Sequence, residues 1–257
     1  MLIKWNIESN LVFLIKTMKK KHLSNALTKG EICFSYPETF SNNTENLNPA
    51  QIDTWDSRHF FPAEKIYCYP VIEENENEIK YGTGFKLAEK ATLREISEIN
   101  KHTPFCCFRK VTENELVERD GLLIFSLADT VDRIKQDFGH DSFVLIVRPD
   151  IYLDRIAKNH SCYGKSIIYG ELSLEDRKDF EENEKSGFPQ IKMFQKRGIY
   201  AWQKEYRVIL TPTEEIERHN IYIGSIEDIA TGGDIEQLRL GYAFGKSIDG
   251  FPKRNGE

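Results

Sequence analysis

Long apolar runs are missing from this 257-residue sequence. The longest near the start, Leu11-Val12-Phe13-Leu14-Ile15, stops at Lys16, far short of the ~20 residues a membrane-spanning helix needs. No basic segment precedes it and no small-residue cleavage site follows, so it does not read as a secretory signal. The expectation is a soluble, cytoplasmic protein with no membrane partner. Cysteine is scarce: Cys33, Cys68, Cys106, Cys107 and Cys162 make an odd set without a CxxC pair, which suggests neither a disulfide framework nor a zinc site. Cys33, Cys106 and Cys107 sit in apolar runs and read as reduced core residues. The six histidines show no metal-ligand spacing, and no metal is expected. An excess of positive charge is also lacking, with 35 basic against 41 acidic residues and a net charge of −6. That excludes a general role in coating duplex nucleic acid through its phosphates. There is no phosphate loop ending in Gly-Lys-Ser/Thr, no GxGxxG, no HExxH and no GxSxG elbow. Gly82-Thr83-Gly84 reads as a turn.

What is present is a composition that folds. Apolar residues make up 40% and charged residues 30% of the chain, enough for a sizeable core and unlike a disordered sequence. Alternation predicts a first strand over 2–7. Apolar positions at three- and four-residue steps (Leu11, Leu14, Ile15, Met18, His22, Ala26) predict a helix that Gly30 stops. A strand over 31–36 ends at Pro37, and a long polar loop follows over 41–58. An edge strand is expected over 66–72, an acidic turn over 73–78 and a helix over 86–101. Strands are expected at 105–108 and 122–125, and a helix at 127–138 closed by Gly139. The strongest strand lies over 142–147, closed by Pro149, with a short helix over 153–158 and a strand over 166–169. A charged helix or loop over 176–185, a short helix over 191–195 and late strands over 206–210 and 221–223 complete the pattern. Strands and helices do not alternate strictly. This predicts one α+β domain over 1–257, with a mixed, mostly antiparallel sheet and several helices.

The most informative stretch is Gln203-Lys204-Glu205-Tyr206-Arg207-Val208-Ile209-Leu210. In strand periodicity Gln203, Glu205, Arg207 and Ile209 face one way, and Lys204, Tyr206, Val208 and Leu210 the other. A polar row at the start of an apolar strand, beside the glycine-bearing segment 198–202, is placed to line a cleft. The competing interpretation is an edge strand with a solvated Glu–Arg face, since exposed ion pairs are common and weak. A second feature is Lys16, Lys19, Lys20, Lys21 and Lys29 around the first helix. They form either a solvated helix back or a local patch facing nucleic acid.

Gln203-Lys204-Glu205 followed by an apolar strand resembles the catalytic strand of ADP-ribosyltransferases, in which Gln/Glu-x-Glu precedes such a run. Separately, Ile32-Cys33-Phe34-Ser35-Tyr36-Pro37-Glu38-Thr39-Phe40-Ser41-Asn42 and Gln203-Lys204-Glu205-Tyr206-Arg207 resemble an uncharacterised family common in bacteria and their phages. In that family a Phe-Ser-x-Pro strand comes early and a Glu-x-Glu-Tyr/Trp-Arg strand late. The first likeness implies an ADP-ribosyltransferase-like fold and NAD as substrate. It also implies an unknown macromolecular acceptor, protein or nucleic acid, and the role of a toxin or phage-conflict effector. Glu205 would then stabilise the oxocarbenium-like state formed as nicotinamide leaves the ribose, and Gln203 would orient the acceptor. Arg109 or Arg207 would clamp the pyrophosphate, and Tyr36 or Trp202 would stack on nicotinamide. Ser35 stands in part for the Ser-Thr-Ser triplet of those enzymes. Arg58-His59 and Arg109 are both candidates for their early Arg or His. Glu205 and Ser35 should then lie on neighbouring strands that line the main cleft. The alternative is a non-catalytic α+β binding module that uses the 41–58 loop and the basic helix.

Overall fold

The apolar run at Leu11 is a strand rather than the helix its spacing suggests. β1 (Leu11–Met18) leads into α1 (Lys20–Thr28) only after Lys19. Five consecutive apolar residues fit a buried strand as well as a helix, and Val12, Phe13 and Ile15 favour extended backbone. The strand is buried on both faces: Phe13 and Ile15 join one apolar cluster and Leu14 another. The computed structural model describes residues 9–37, 59–62, 67–68, 71–75, 78–86, 92–95, 98–170, 172–211 and 219–245. The strand expected over 2–7, the loop over 41–58 and Arg58 lie outside the described residues.

Past α1, Gly30 adopts a φ of +59°, and a Cβ there would collide with the carbonyl oxygen of Gly224. It opens β2 (Glu31–Phe34), which pairs with β9 (His219–Tyr222). Between the two lie β3 (Phe105–Thr112), β4 (Val117–Arg119), β5 (Leu122–Phe125) and α2 (Ala128–Phe138). β6 (Ser142–Ile146), α3 (Pro149–Asn159), β7 (Cys162–Ser166), α4 (Leu174–Lys185) and β8 (Glu205–Leu210) come next. The described chain ends with β10 (Ala230–Asp234), α5 (Glu236–Leu240) and β11 (Tyr242–Gly245). The main sheet has six strands in the order β7-β8-β3-β1-β6-β10, and every neighbouring pair is antiparallel. The fold is therefore α+β with a mostly antiparallel sheet. A parallel pair, Ile168–Tyr169 with Gln195–Lys196, is the exception.

Three segments follow their sequence pattern closely. β6 is buried at every position, as expected of a continuous apolar run between two other strands. α2 ends at Gly139, whose φ of +62° is the left-handed cap anticipated there. α3 contains the helix expected over 153–158 but begins earlier, at Pro149 itself, since proline's fixed φ suits a helix's first residue. Among the described residues of the helix expected over 86–101, Lys86 closes the strand Phe85–Lys86, Thr92–Glu95 is a strand and Glu98–Lys101 is helical. Thr92–Glu95 pairs with His59–Pro62, so a long-range ladder overrides local spacing. Of the acidic segment expected as a turn over 73–78, Glu73–Asn75 belong to the strand Val71–Asn75 and Glu78 opens its antiparallel partner Glu78–Tyr81.

One face of the sheet carries Leu14, Phe108, Val144, Ile146, Tyr206 and Val208 against α3, with Ala26 of α1 and Phe34 of β2 in the same cluster. The other face holds two separate clusters. Phe13, Ile15, Val111 and Phe143 pack with α2 and α5, and Phe105 and Ile209 pack with Phe180, Ile191 and Phe194. Polar residues of β3 and β8 occupy the space between those clusters. Among the described residues no helix is long and apolar enough to cross a membrane.

Candidate functional site

β1 and β3 are paired only from Leu11↔Thr112 to Ile15↔Arg109. Beyond that rung they part. Lys16, Thr17 and Met18 stay with β6, while the Phe105 end of β3 stays with β8 and bridges to Ser35. The sheet opens there into a fork, and a cavity of about 910 Å³ occupies it, the upper end of the range for small-molecule sites. Lys16, Ser35, Cys107, Arg109, His140, Lys196, Trp202, Gln203 and Glu205 are among its walls.

Glu205 opens β8 and pairs across with Arg109. The strand is interior to the sheet and buried at all six positions, so the solvated Glu–Arg edge is ruled out. Arg207 is fully buried, and its Nε and Nη2 both meet Glu205 Oε1 at 2.7 Å. Its Nη1 donates to the Met193 carbonyl at 2.6 Å. Lys196 Nζ donates to Glu205 Oε2 at 3.1 Å. Burial alone would raise the Glu205 pKa. The charges of Arg207 and Lys196, with hydrogen bonds from Cys107 and Arg207, outweigh it and hold the carboxyl well below the usual carboxylate range. Burial, and then the Glu205 charge, push the Cys107 thiol well up.

Gln203 is not on the strand. It ends a 3₁₀ turn (Gly198–Gln203), and Lys204 follows with a φ of +44°, which breaks the alternation before Glu205. The turn nevertheless returns Gln203 to the same place, where its Oε1 accepts from Lys196 Nζ at 3.0 Å. Ser35 exchanges two backbone hydrogen bonds with Phe105, at 2.9 and 2.8 Å, and lines the same cavity. Glu205, Gln203, Ser35 and Arg109 are thus brought together around one space.

Other candidates are placed differently. Arg207 and Tyr36 are buried and do not line the cavity. A pyrophosphate clamp from Arg207 is therefore replaced by its bonds to Glu205 and Met193, and Tyr36 offers no stacking face to the cavity. Arg109 donates to Glu115 Oε1 at 2.9 Å and to the Trp202 carbonyl at 3.0 Å, so two of its nitrogens are committed. Trp202 is at the wall, with Arg133 4.2 Å from its ring centroid. Lys16 is on a strand and does not share a helix face with Lys20. Lys16, Lys19 and Lys21 turn up instead among the cavity residues.

Sequence reasoning missed Lys196 and Tyr169. Tyr169 Oη accepts the Glu205 N–H at 2.7 Å. Lys196 comes from a two-residue strand too short to leave a periodic signal, and the strand expected over 166–169 contains Tyr169 without indicating its contact with Glu205. Among the described residues there is no group of three or more His, Cys, Asp or Glu side chains able to hold a metal ion. No protein-family model matches the chain, and neither does any curated protein or solved structure.

Proposed function

We propose that the fork cavity binds NAD and that the protein is an ADP-ribosyltransferase-like enzyme, transferring ADP-ribose to a macromolecule. The observation that carries this reading is the meeting of Ser35 with Gln203 and Glu205, which lie in a distant part of the sequence, around one cavity of nucleotide size. Loss of nicotinamide from ribose develops positive charge on the sugar, and a carboxylate held ionised opposes that charge. Glu205 has the right charge state. Its pairs with Lys196 and Arg207 also fix its direction, which spares reorganisation during the reaction. Gln203, tied to the same lysine, lies next to where an acceptor would approach.

A second reading is a non-catalytic binding module. It is favoured by the engagement of both Glu205 oxygens, one by Arg207 and one by Lys196. In that case Glu205 braces the cavity wall and only binding occurs.

The test is release of nicotinamide from labelled NAD, measured with the NAD-induced rise in melting temperature. The enzyme reading expects turnover, lost by about 10²–10³ in Glu205→Gln, with the NAD-induced rise retained. Glu205→Asp keeps the charge but withdraws the carboxylate by one methylene, and guards against a Gln variant that fails to fold. A melting rise with no turnover in the wild type selects the binding module. No response to millimolar NAD overturns both readings as NAD sites.

A further inference from the structure

The cavity's hydrogen-bonding capacity is lopsided. Among the described residues two carboxylates line it: Glu205 is held through both oxygens by Arg207 and Lys196, and Glu31 accepts through Oε1 from Asn220 at 3.0 Å and Tyr222 at 3.5 Å. Its donors are not used up. Arg109 Nε, Trp202 Nε1 and Gln203 Nε2 are all buried without a hydrogen-bond partner, and the Arg109 side chain is only 10% exposed. Buried donors left in this state are costly unless something supplied from outside accepts from them.

Lys16 is the second half of the pattern. Its Nζ donates to the Cys107 carbonyl at 2.9 Å and lies 5.5 Å from the Phe108 ring centroid. No carboxylate pairs with it among the described residues, and the same holds for Lys19 and Lys21 at the same wall. Arg109 and Lys196 already have Glu115 and Glu205. Against the one charge of Glu31, whose named partners are neutral, three lysines thus bring positive charge to the fork. His140 registers it: its Nδ1 is 2.8 Å from Thr17 Oγ1, and burial, then the charges of Lys16 and Lys19, lower its pKa to about 4. Asp141 and His22 are the other charged or titratable neighbours acting on the ring. Asp141 is itself held by the Lys20 N–H and the Ser142 hydroxyl.

We infer that the fork is a phosphate subsite, in which Lys16, supported by Lys19 and Lys21, receives the phosphates of a nucleotide whose remaining acceptors meet Arg109, Trp202 and Gln203. A ligand made of acceptors and negative charge is what a wall of spare donors selects, and ammonium groups bind phosphate as point charges without a fixed fork geometry. The inference rests on the reading of the cavity as a nucleotide site and does not depend on any chemistry there.

Calorimetric titration of the full chain with ADP, pyrophosphate and adenosine tests it. ADP should bind, and adenosine much more weakly. Lys16→Met should weaken ADP by about ten- to a hundredfold, the range for a lost hydrogen bond to a charged group, and leave adenosine unchanged. The His140 ring resonances should titrate at higher pH with ADP present, because its phosphates offset the lysine charges. Equal binding of ADP and adenosine, no binding of ADP, or full ADP affinity in Lys16→Met overturns the subsite. Should Lys16→Met fail to fold, the exposed double variant Lys19→Gln/Lys21→Gln decides: it must weaken ADP and flatten the salt dependence, and unchanged affinity is fatal. ADP binding through Lys16 without nicotinamide release keeps the subsite and discards the transferase. NAD turnover unaffected by Lys16→Met does the reverse.

Discussion

Glu205 with Lys196 and Arg207, and Glu236 with Lys135 and Arg239, are the same arrangement built twice: a glutamate with a lysine on one oxygen and an arginine on the other. The distances are alike, 3.1 and 2.7 Å in the first and 2.8 and 2.7 Å in the second. The surroundings are not. Side chains of the first are 8, 5 and 0% exposed in the order Lys, Glu, Arg, and those of the second 47, 45 and 34%. In water the same charges attract weakly and cost little to separate. In the sheet they have lost hydration, so each depends on the others to be tolerated at all. Geometry alone would rank the two clusters equal, and burial separates them.

Replacement of Arg207 breaks the comparison most sharply. Arg207→Ala leaves Glu205 with one cation and the Met193 carbonyl without its donor, and should cost roughly 3–5 kcal/mol. At about 2–4 °C per kcal/mol for a chain of this size, calorimetry should find melting lowered by about 10 °C. A drop of a degree or two would mean the buried cluster behaves as the exposed one does.

Lys196→Met is expected to be milder, because Arg207 still holds Glu205 and the Met side chain fills much the same volume. The lost bonds to Glu205 and Gln203 should cost roughly 1.5–3 kcal/mol in denaturant titration. An effect equal to that of Arg207→Ala would show that the lysine, not the arginine, keeps the carboxylate in place.

Acid acts on the buried cluster and on His140 over different pH ranges. Glu205 has a folded pKa below that of the unfolded chain, so its stabilisation is complete above the ordinary carboxylate pKa of 4.5 and is lost progressively as pH falls below it. His140 loses its effect earlier. It is neutral in the fold down to about pH 4 but takes up a proton near 6.5 when unfolded, so the unfolded state binds more protons between those values and stability rises with pH there. Melting temperature should therefore fall from pH 6.5 to 4, and His140→Asn should flatten that segment while leaving the loss below pH 4.5. A variant that keeps the wild-type slope would remove His140 from the account.

The smallest effect is expected at the exposed twin. Glu236→Gln should leave the melting temperature unchanged at moderate salt, because water replaces both partners. A clear loss would mean α5 depends on this glutamate for packing beyond its ion pairs.

The sequence made parts of this structure legible. β6, α2 with its Gly139 cap, β3 and β8 could be read from apolar runs and punctuating residues, because there local preference and burial agree. The errors fell where they disagree. Leu11–Met18 carries helical spacing but is held as a central strand between β3 and β6. Thr92–Glu95 lies in a helical pattern but is recruited by a strand more than thirty residues upstream. At the site, the same-face placement of Glu205 and Arg207 followed from alternation alone. Their burial did not, since strand periodicity says which residues share a face and not whether a sheet edge or a neighbouring strand lies beyond them. Lys196 was out of reach for a similar reason, and Lys16 reads from sequence only as part of a lysine patch around a helix: each acts on a partner, Glu205 or the Cys107 carbonyl, that only the tertiary fold brings near.

The fork has a consequence for how the protein breathes. Along β3, Phe105 bonds to Ser35 and Lys110 to the Lys204 carbonyl, so by alternation the backbone groups of Cys107 point into the opening and those of Cys106 and Phe108 point to β8. Where a strand would continue the ladder, an amine stands in: Lys16 fills the Cys107 carbonyl as a missing rung would. A side-chain rung rotates away far more readily than a backbone one. The Cys107 amide faces the same opening, beyond the last rung between β1 and β3. Its deuterium uptake should therefore be fast and that of its two neighbours, which face β8, slow, a local opening in the middle of the sheet that does not wait for the chain to unfold.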